Sequence, residues 1–278
     1  MNGKALAEEM RARVTERLQA MGSPPVCLAT VLVGDDGPSQ RYVASKQKQA
    51  AAVGMLSRHV DLPATASQTE VEAVVADLAA DDAVHGILVQ LPLPYGLEAD
   101  PVIDLIPPLK DVDGLTAASL GRLVRGEAGL VPCTPRGILA LLAHYEVPIS
   151  GRRAVVIGRS MLVGMPVALL LATKGTDATV TIAHSRTPDL AATCREADIL
   201  VSAVGVARLV TPAFVKPGAA VLDVGISRTE EGIVGDVDYD SVSEIAGWIT
   251  PMPGGTGAMT PAMLLENTVD AYSLQCLA

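Results

Sequence analysis

Tyr42 and Lys46 stand four residues apart in a run of helix formers that follows the turn Gly34-Asp35-Asp36-Gly37 and continues to Val53. On a helix they share one face, about one turn from each other. An aromatic plate beside an amine can hold a flat, electron-rich ring and act on it. A solvated helix face carrying a Tyr and a Lys satisfies the same spacing, so the pair gains meaning only from its company. That company begins with Gln90, a polar residue closing the apolar run Gly86-Ile87-Leu88-Val89 and followed by Leu91-Pro92-Leu93-Pro94. Ligands of open α/β sheets bind outside the carboxyl ends of strands, although a strand-ending Gln bonded to backbone is the commoner case. In Lys110-Asp111-Val112-Asp113-Gly114 two carboxylates precede a glycine. By themselves they fit a turn with side-chain-to-backbone bonds, and no further acidic residues make it a calcium loop.

A second group of candidates lies beyond residue 150. Gly158-Arg159-Ser160-Met161-Leu162-Val163-Gly164-Met165-Pro166 joins the apolar run Ala154–Ile157 to an apolar helix. Strand, Gly turn and helix in that order suit phosphate binding by backbone N–H groups, though the two glycines are not spaced as G-x-G-x-x-G. An ordinary connection would read the same way. The next strand, Ala178–Ala183, ends in His184-Ser185-Arg186-Thr187. Folds that bind NAD place a carboxylate there for the ribose hydroxyls. Here Ser185, Arg186 and Arg159 can instead bind a 2′-phosphate, which favours NADP over NAD. Finally, Pro251-Met252-Pro253-Gly254-Gly255-Thr256-Gly257 carries three glycines in four residues, which lets backbone approach a ligand closely.

The elements that must position these residues follow from periodicity. Leu6, Met10, Val14 and Leu18 recur at i+4 and predict an amphipathic helix over 2–21. The continuous apolar run 26–33 reads as a parallel strand buried on both faces. A strand over 55–60, a helix over 67–80 with Val71, Val74, Val75 and Leu78 inward, and the strand 86–90 complete an α/β half. Thr134-Pro135 opens a helix to Tyr145, with Thr as cap and Pro in its first turn. The pattern restarts after Pro148-Ile149-Ser150-Gly151. Strands 152–158, 178–183, 199–203 and 220–225 alternate with helices, one of them capped by Thr187-Pro188, and predict a Rossmann-like domain. The last helix starts at Thr260-Pro261 and is expected to return to the first domain, leaving the glycine loop at the seam. The division expected is 1–146 with 258–278, and 147–257.

Composition bounds the function. At 49% hydrophobic and 19% charged residues the chain can bury a sizeable, mainly aliphatic core. A net charge of −10 argues against nucleic acid or an anionic membrane as partner. Cys27, Cys133, Cys194 and Cys276 are widely separated, with no C-x-x-C, so no zinc site is indicated and the thiols read as reduced, in a cytoplasm. Neither a signal-peptide apolar block nor a transmembrane-length run is present.

Taken in order, these stretches resemble the bifunctional methylenetetrahydrofolate dehydrogenase/methenyltetrahydrofolate cyclohydrolase family. The resemblance rests on Ser39-x-x-Tyr42-x-x-x-Lys46, Gly86 to Pro94, Lys110-Asp111-Val112-Asp113-Gly114-Leu115 and Pro132-Cys133-Thr134-Pro135. It continues through Gly158-Arg159-Ser160-x-x-Val163-Gly164-x-Pro166, His184-Ser185-Arg186-Thr187, Gly235-Asp236-Val237-Asp238 and Pro251 to Gly257. Departures are Thr256 and Ala258, where the family usually reads Pro-Gly-Gly-Val-Gly-Pro, and Ser119 for a usual Asn. The resemblance implies an α/β fold of two domains, a folate-binding catalytic domain and an NADP-binding one, with folate in the cleft between them. Tyr42 would stack on the folate, with Val89 and Leu91 beside it. Asp113 would bind the amino edge of the pterin, and Lys46 with Gln90 would serve the chemistry. NADP would lie on Gly158, Arg159 and Ser160, with Ser185 and Arg186 near its 2′-phosphate and Ile226 on the nicotinamide side. Pro253, Gly254, Gly255, Thr256 and Gly257 would close on substrate. A metal-free, cytoplasmic homodimer of one-carbon metabolism is implied, acting on tetrahydrofolate derivatives. A two-domain amino-acid or shikimate-type NADP dehydrogenase shares the second half, but it leaves Gln90 and the glycine loop unexplained. A nucleotide-sensing module would bind NADP without turnover.

Overall fold

The computed structural model describes residues 1–230 and 232–277. They form two compact units, Met1–Glu8 with Thr134–Thr260, and Glu9–Cys133 with Pro261–Ala278. Each has its own parallel sheet and its own core.

The small-sheet unit takes most of α1 (Gly3–Ala20), then β1 (Cys27–Val33), α2 (Gly37–Ala52), β2 (Leu56–Leu62), α3 (Gln68–Ala80), β3 (Gly86–Val89), α4 (Ala99–Ile103) and α5 (Ala117–Arg125). Its strands are all parallel, in the order β2-β1-β3. β1 is central and buried along its whole length, as an uninterrupted apolar run demands of a strand covered on both faces. Leu6, Met10, Val14 and Leu18 are all buried in α1. α2 starts where it does because the Asp36 carboxylate accepts the Ser39 N–H at 2.9 Å and Pro38 fits the first turn. α3 has a full capping box, Ser67 with Glu70. Its Val71, Val75 and Leu78 pack against Val31, Ile87 and Val89 of the sheet, at about 1.5–3 kcal/mol for each fully buried side chain.

The five-strand unit contains α6 (Cys133–His144, from Thr134 on), β4 (Arg153–Ile157), α7 (Gly164–Ala172), β5 (Thr179–Ala183), α8 (Leu190–Arg195), β6 (Ile199–Ser202), β7 (Ala220–Asp223), β8 (Ser227–Thr229), β9 (Gly232–Val234), α9 (Tyr239–Ser243) and β10 (Trp248–Ile249). α10 (Thr256–Leu277) begins in it. The sheet order is β10-β7-β6-β4-β5, all parallel. Counted within the unit this is 2-1-3-4-5, the doubly wound order whose switch point lies between the first and third strands, here β4 and β6. Alternation along β4 splits the core into two faces. Ala154 and Val156 face the cluster with Val167 and Leu171 of α7, while Val155 and Ile157 face the one with Cys194 of α8.

The structure differs from the sequence expectations at several points, and α6 already begins at Cys133, so Thr134 lies inside it rather than capping it. α6, expected with the first half, packs its Ile138 and Leu142 into the five-strand core beside Val156 and Leu171, so the unit boundary falls at Thr134 rather than 147. α8 is capped by Asp189, which accepts the Ala192 N–H at 3.0 Å, and not by Thr187. α10 starts at Thr256, which places Gly257 in its first turn and Pro261 inside it. The β8–β9 hairpin, α9 and β10 were not foreseen: three-residue strands and a two-residue one are too short for a period to show.

Candidate active site

In the small-sheet unit, α2 and the carboxyl end of β3 bring Lys46 and Gln90 together. Lys46 Nζ donates to Gln90 Oε1 at 3.0 Å. The amide is held in that orientation because Gln90 Nε2 donates to the Leu91 carbonyl at 2.7 Å, and its backbone N–H to Val31 O at 2.9 Å. Gln90 thus offers the amine an acceptor without adding a charge. Tyr42, one turn away on α2, leaves half its surface exposed and accessible for stacking, 50%. Val89 is buried in the sheet core and Leu91 is partly exposed.

The charged motif Lys110–Gly114 is sorted by its bonds. Lys110 Nζ is consumed by the Ala79 and Asp81 carbonyls at 2.9 and 2.8 Å. Asp111 accepts the Leu115 and Thr116 N–H groups at 3.1 and 2.8 Å, which makes it a turn-former. Asp113 is the carboxylate left for chemistry. Burial pushes its carboxyl above the ordinary value, with Lys46 pulling it down and Asp111 adding to the rise. Burial likewise holds the Lys46 amine below the ordinary lysine value, against the attraction of Asp113 and Cys133. Each group therefore has a larger fraction of its uncharged form than in water, which a proton carrier needs at neutral pH.

Sequence reasoning missed what holds Asp113 in place. The buried Cys133 thiol reaches the Asp113 carboxyl and the Val112 carbonyl, the latter at 3.2 Å. Asn267, fully buried on α10, donates to Val112 O at 2.8 Å and to Val131 O at 2.9 Å. The two backbone stretches around Asp113 are thereby clamped. Gly114 has φ +69°, and a Cβ there would stand 2.5 Å from the Val131 carbonyl carbon. No local pattern predicts a contact between residues 112 and 267.

The five-strand unit presents the second group at its switch point. Gly158 has φ +115°, and a Cβ on it would lie 2.5 Å from the Ala203 carbonyl oxygen. One on Gly164 would lie 2.3 Å from the Gly158 carbonyl oxygen. Only glycine permits both approaches. Ser160 Oγ accepts the Val163 and Gly164 N–H groups at 3.3 and 3.5 Å where α7 begins. At the end of β5, the His184 backbone N–H donates to Thr187 Oγ1, and His184 Nδ1 accepts the Arg186 N–H. Ser185, Arg186 and Arg159 are left exposed. A dinucleotide with a 2′-phosphate fits this set: close backbone at the switch point, two cations, a hydroxyl, and no carboxylate in the segment 184–187 that closes β5.

Two buried carboxylates support the loops beside it. Asp223, at the end of β7, accepts the Asp236 and Val237 N–H groups at 2.9 and 3.0 Å. Asp236 accepts Ser202 Oγ and the Val204 and Val206 N–H groups at 2.8–2.9 Å. Burial, with the Asp236 charge adding, pushes the Asp223 carboxyl up to about 6 against the N–H groups that favour its ionised form. Three residues on, Ile226 is half exposed. Asp223 is also the anchor of the glycine loop: its N–H donates to Thr250 Oγ1 at 2.8 Å, and its carbonyl accepts the Thr256 hydroxyl.

A doubly wound nucleotide-type unit together with a unit carrying an amine, an amide and a carboxyl defines the class, a two-domain α/β enzyme of the dehydrogenase type. Comparison narrows the class. Residues 1–113 match the catalytic domain of tetrahydrofolate dehydrogenase/cyclohydrolase, and residues 132–276 match the NAD(P)-binding domain of the same enzyme. The bifunctional protein FolD 2 of Frankia alni is 54% identical over 273 residues, 97% of this chain and 94% of its own length. The crystal structure of the bifunctional FolD of Campylobacter jejuni superposes with a TM-score of 0.96 at 44% identity, covering 99% of this chain and 98% of that one. The Trypanosoma brucei enzyme, solved with NADP and an inhibitor, gives 0.94 at 39% identity, over 100% of this chain and 98% of that one. The chain belongs to the tetrahydrofolate dehydrogenase/cyclohydrolase family. Shikimate 5-dehydrogenase of Thermus thermophilus, at 14% identity and a TM-score of 0.52, shares the fold alone.

Proposed function

We propose that this protein oxidises 5,10-methylenetetrahydrofolate with NADP and hydrolyses the 5,10-methenyl product to 10-formyltetrahydrofolate. The observation that carries the reading is the amine of Lys46 held by an uncharged amide 3.0 Å away and kept below its ordinary pKa by burial. NADP, when bound, supplies the hydride acceptor, and Gly158, Arg159, Ser160, Ser185, Arg186 and Ile226 are the residues that hold it. No proton leaves carbon in the oxidation, so the chain's task there is orientation. Tyr42 stacks on the reduced pterin, Val89 and Leu91 line it, and Asp113 accepts its amino edge. The loop residues Pro253, Gly254 and Gly255, with Thr256 and Gly257 of the first turn of α10, cover the folate.

Hydrolysis needs more. Water attacks the methenyl carbon and the neutral fraction of Lys46 takes one of its protons; the resulting ammonium returns it to the ring nitrogen as the C–N bond breaks, and the remaining hydroxyl proton leaves to solvent as the formyl carbonyl forms. Gln90 keeps the amine aimed in both charge states. We further infer a cytoplasmic homodimer joined through the five-strand unit, whose edge strand β5 exposes Thr179, Thr181 and Ile182. The formyl product suits the formylation steps of purine biosynthesis. Among the described residues no helix is long and apolar enough to cross a membrane. The test is Lys46→Met, assayed for loss of the methenyl absorbance. We expect hydrolysis to fall by roughly 10²–10⁴-fold, and unchanged hydrolysis removes Lys46 from the mechanism.

A further inference from the structure

We infer that Gly3 and the Lys4 N–H are positioning elements of the glycine loop, setting the height of Gly254–Gly255 for the folate. The inference rests on the assignment of that loop to the substrate.

The loop between Thr250 and Thr256 is tied to Asp223 at both ends, through the two threonine hydroxyls. Ala258 N–H adds a bond to the Gly255 carbonyl at 3.1 Å as α10 starts. At its tip the Gly254 carbonyl accepts the Lys4 N–H at 3.1 Å. That N–H belongs to the first turn of α1, where helix donors have no partner within the helix, so loop and helix start satisfy each other. Directly beside this bond Gly3 is buried against the loop. A Cβ on Gly3 would stand 2.0 Å from the Gly255 carbonyl oxygen, 2.7 Å from its carbon and 3.2 Å from the Gly254 oxygen. Backbone atoms cannot swing aside as a flexible side chain can, so any side chain at position 3 must lift the loop.

The strut is itself braced. The Asn2 N–H donates to the Tyr145 hydroxyl at 2.6 Å, Asn2 Oδ1 accepts the Ala5 N–H at 3.2 Å, and Met1 packs against the core cluster of Ile138 and Val156. A loop whose ends are fixed and whose tip rests on a braced helix start has one height. An ångström of misplacement in a substrate-positioning element is enough to cost up to 10²-fold.

The test compares Gly3→Ala, Lys4→Pro and Gly254→Ala in the full chain, with methylenetetrahydrofolate and NADP each varied in turn. Lys4→Pro deletes the donor together with the Lys4 side chain that runs past Gly254, at a helix position that tolerates proline, and it keeps the test open if Gly3→Ala does not fold. Gly254→Ala perturbs the loop directly, because Gly254 has φ +106°. The expected result for Gly3→Ala and Lys4→Pro is a folate KM raised roughly tenfold with the NADP KM within about twofold of the parent. A purely structural role would move both constants or only the melting temperature, and equal changes in the two KM values overturn the inference. Folded Gly3→Ala and Lys4→Pro with unchanged folate KM, while Gly254→Ala raises it, refute the strut and leave the loop assignment standing. If Gly254→Ala also leaves the folate KM unchanged, the loop is not a folate element and both ideas fall.

Discussion

Replacing Asp113 by Asn separates two roles that one carboxyl carries. As a carboxylate it accepts a pair of hydrogen bonds from the amino edge of a pterin. An amide of the same shape keeps one acceptor and turns a donor toward the other N–H. Hydrogen bonds to charged groups contribute about 1.5–3 kcal/mol, so the folate KM is expected to rise roughly 10- to 150-fold. The second role is electrostatic. Burial lowers the pKa of Lys46 and Asp113 raises it, so removing the negative charge leaves burial less opposed and lowers that pKa further. The acidic limb of the hydrolysis pH profile then moves to lower pH, even as affinity is lost. Asn267 and Gly114 hold the backbone in both proteins, so the NADP KM is expected to stay put. The assay is steady-state kinetics of both reactions from pH 6 to 9. A limb that moves to higher pH, or NADP and folate KM values that rise together, refutes the reasoning.

Two further outcomes follow from the five-strand unit. Arg159→Ala combined with Arg186→Ala is expected to raise the KM for NADP at least about tenfold while leaving that for NAD nearly unchanged, because only NADP brings a 2′-phosphate to pair with them; equal effects on both contradict the phosphate assignment. Asp223 titrates near 6 in the fold against an ordinary 3.8. A raised carboxyl pKa means stability is fullest below pH 3.8 and is lost as pH climbs through 6, a cost of about 3 kcal/mol. Asp223→Asn is expected to flatten that part of the stability curve in urea titrations between pH 4 and 7, and an unaltered slope would show that the carboxyl is not the titrating group.

Much of the scaffold could be read from residue patterns because its elements are local. Leu6, Met10, Val14 and Leu18 repeat every four residues, Ser67 and Glu70 announce a helix start, and the apolar run Cys27–Val33 has no polar face to expose. Where a signal was short or shared, the reading slipped. Thr187-Pro188 and Asp189 are all plausible caps, and the carboxylate two residues later makes the bond. Thr260-Pro261 resembles a helix start, yet the tie from Thr256 to Asp223 lets the helix begin one turn earlier. α6 follows the first half in sequence, but its apolar stripe fits the core formed by residues that come after it.

The candidate site divides along the same line. Residue type and place in a motif point to Lys46, Gln90 and Asp113. That Lys46 reaches Gln90 across 44 residues is possible because β1 and β3 are parallel neighbours, so the helix after β1 leaves from the same carboxyl edge at which β3 ends. Asp111 and Lys110 stand next to Asp113 with equal chemical promise, and only their hydrogen bonds show them to be turn and anchor. Cys133 and Asn267 act on Asp113 from 20 and 154 residues away in the chain, a relation that no spacing rule contains. Thr256, where the family usually has Val, looks like a neutral change in the sequence, whereas in the fold its hydroxyl bonds the Asp223 carbonyl.

The ionisation of Lys46 tests the central claim most directly, and it is read from the pH dependence of methenyltetrahydrofolate hydrolysis by the parent protein and by Lys46→Met. The account predicts an acidic limb below the ordinary lysine value of 10.5, present in the parent and absent from the residual rate of the variant. A limb at 10.5, or one that survives unchanged in Lys46→Met, would contradict it.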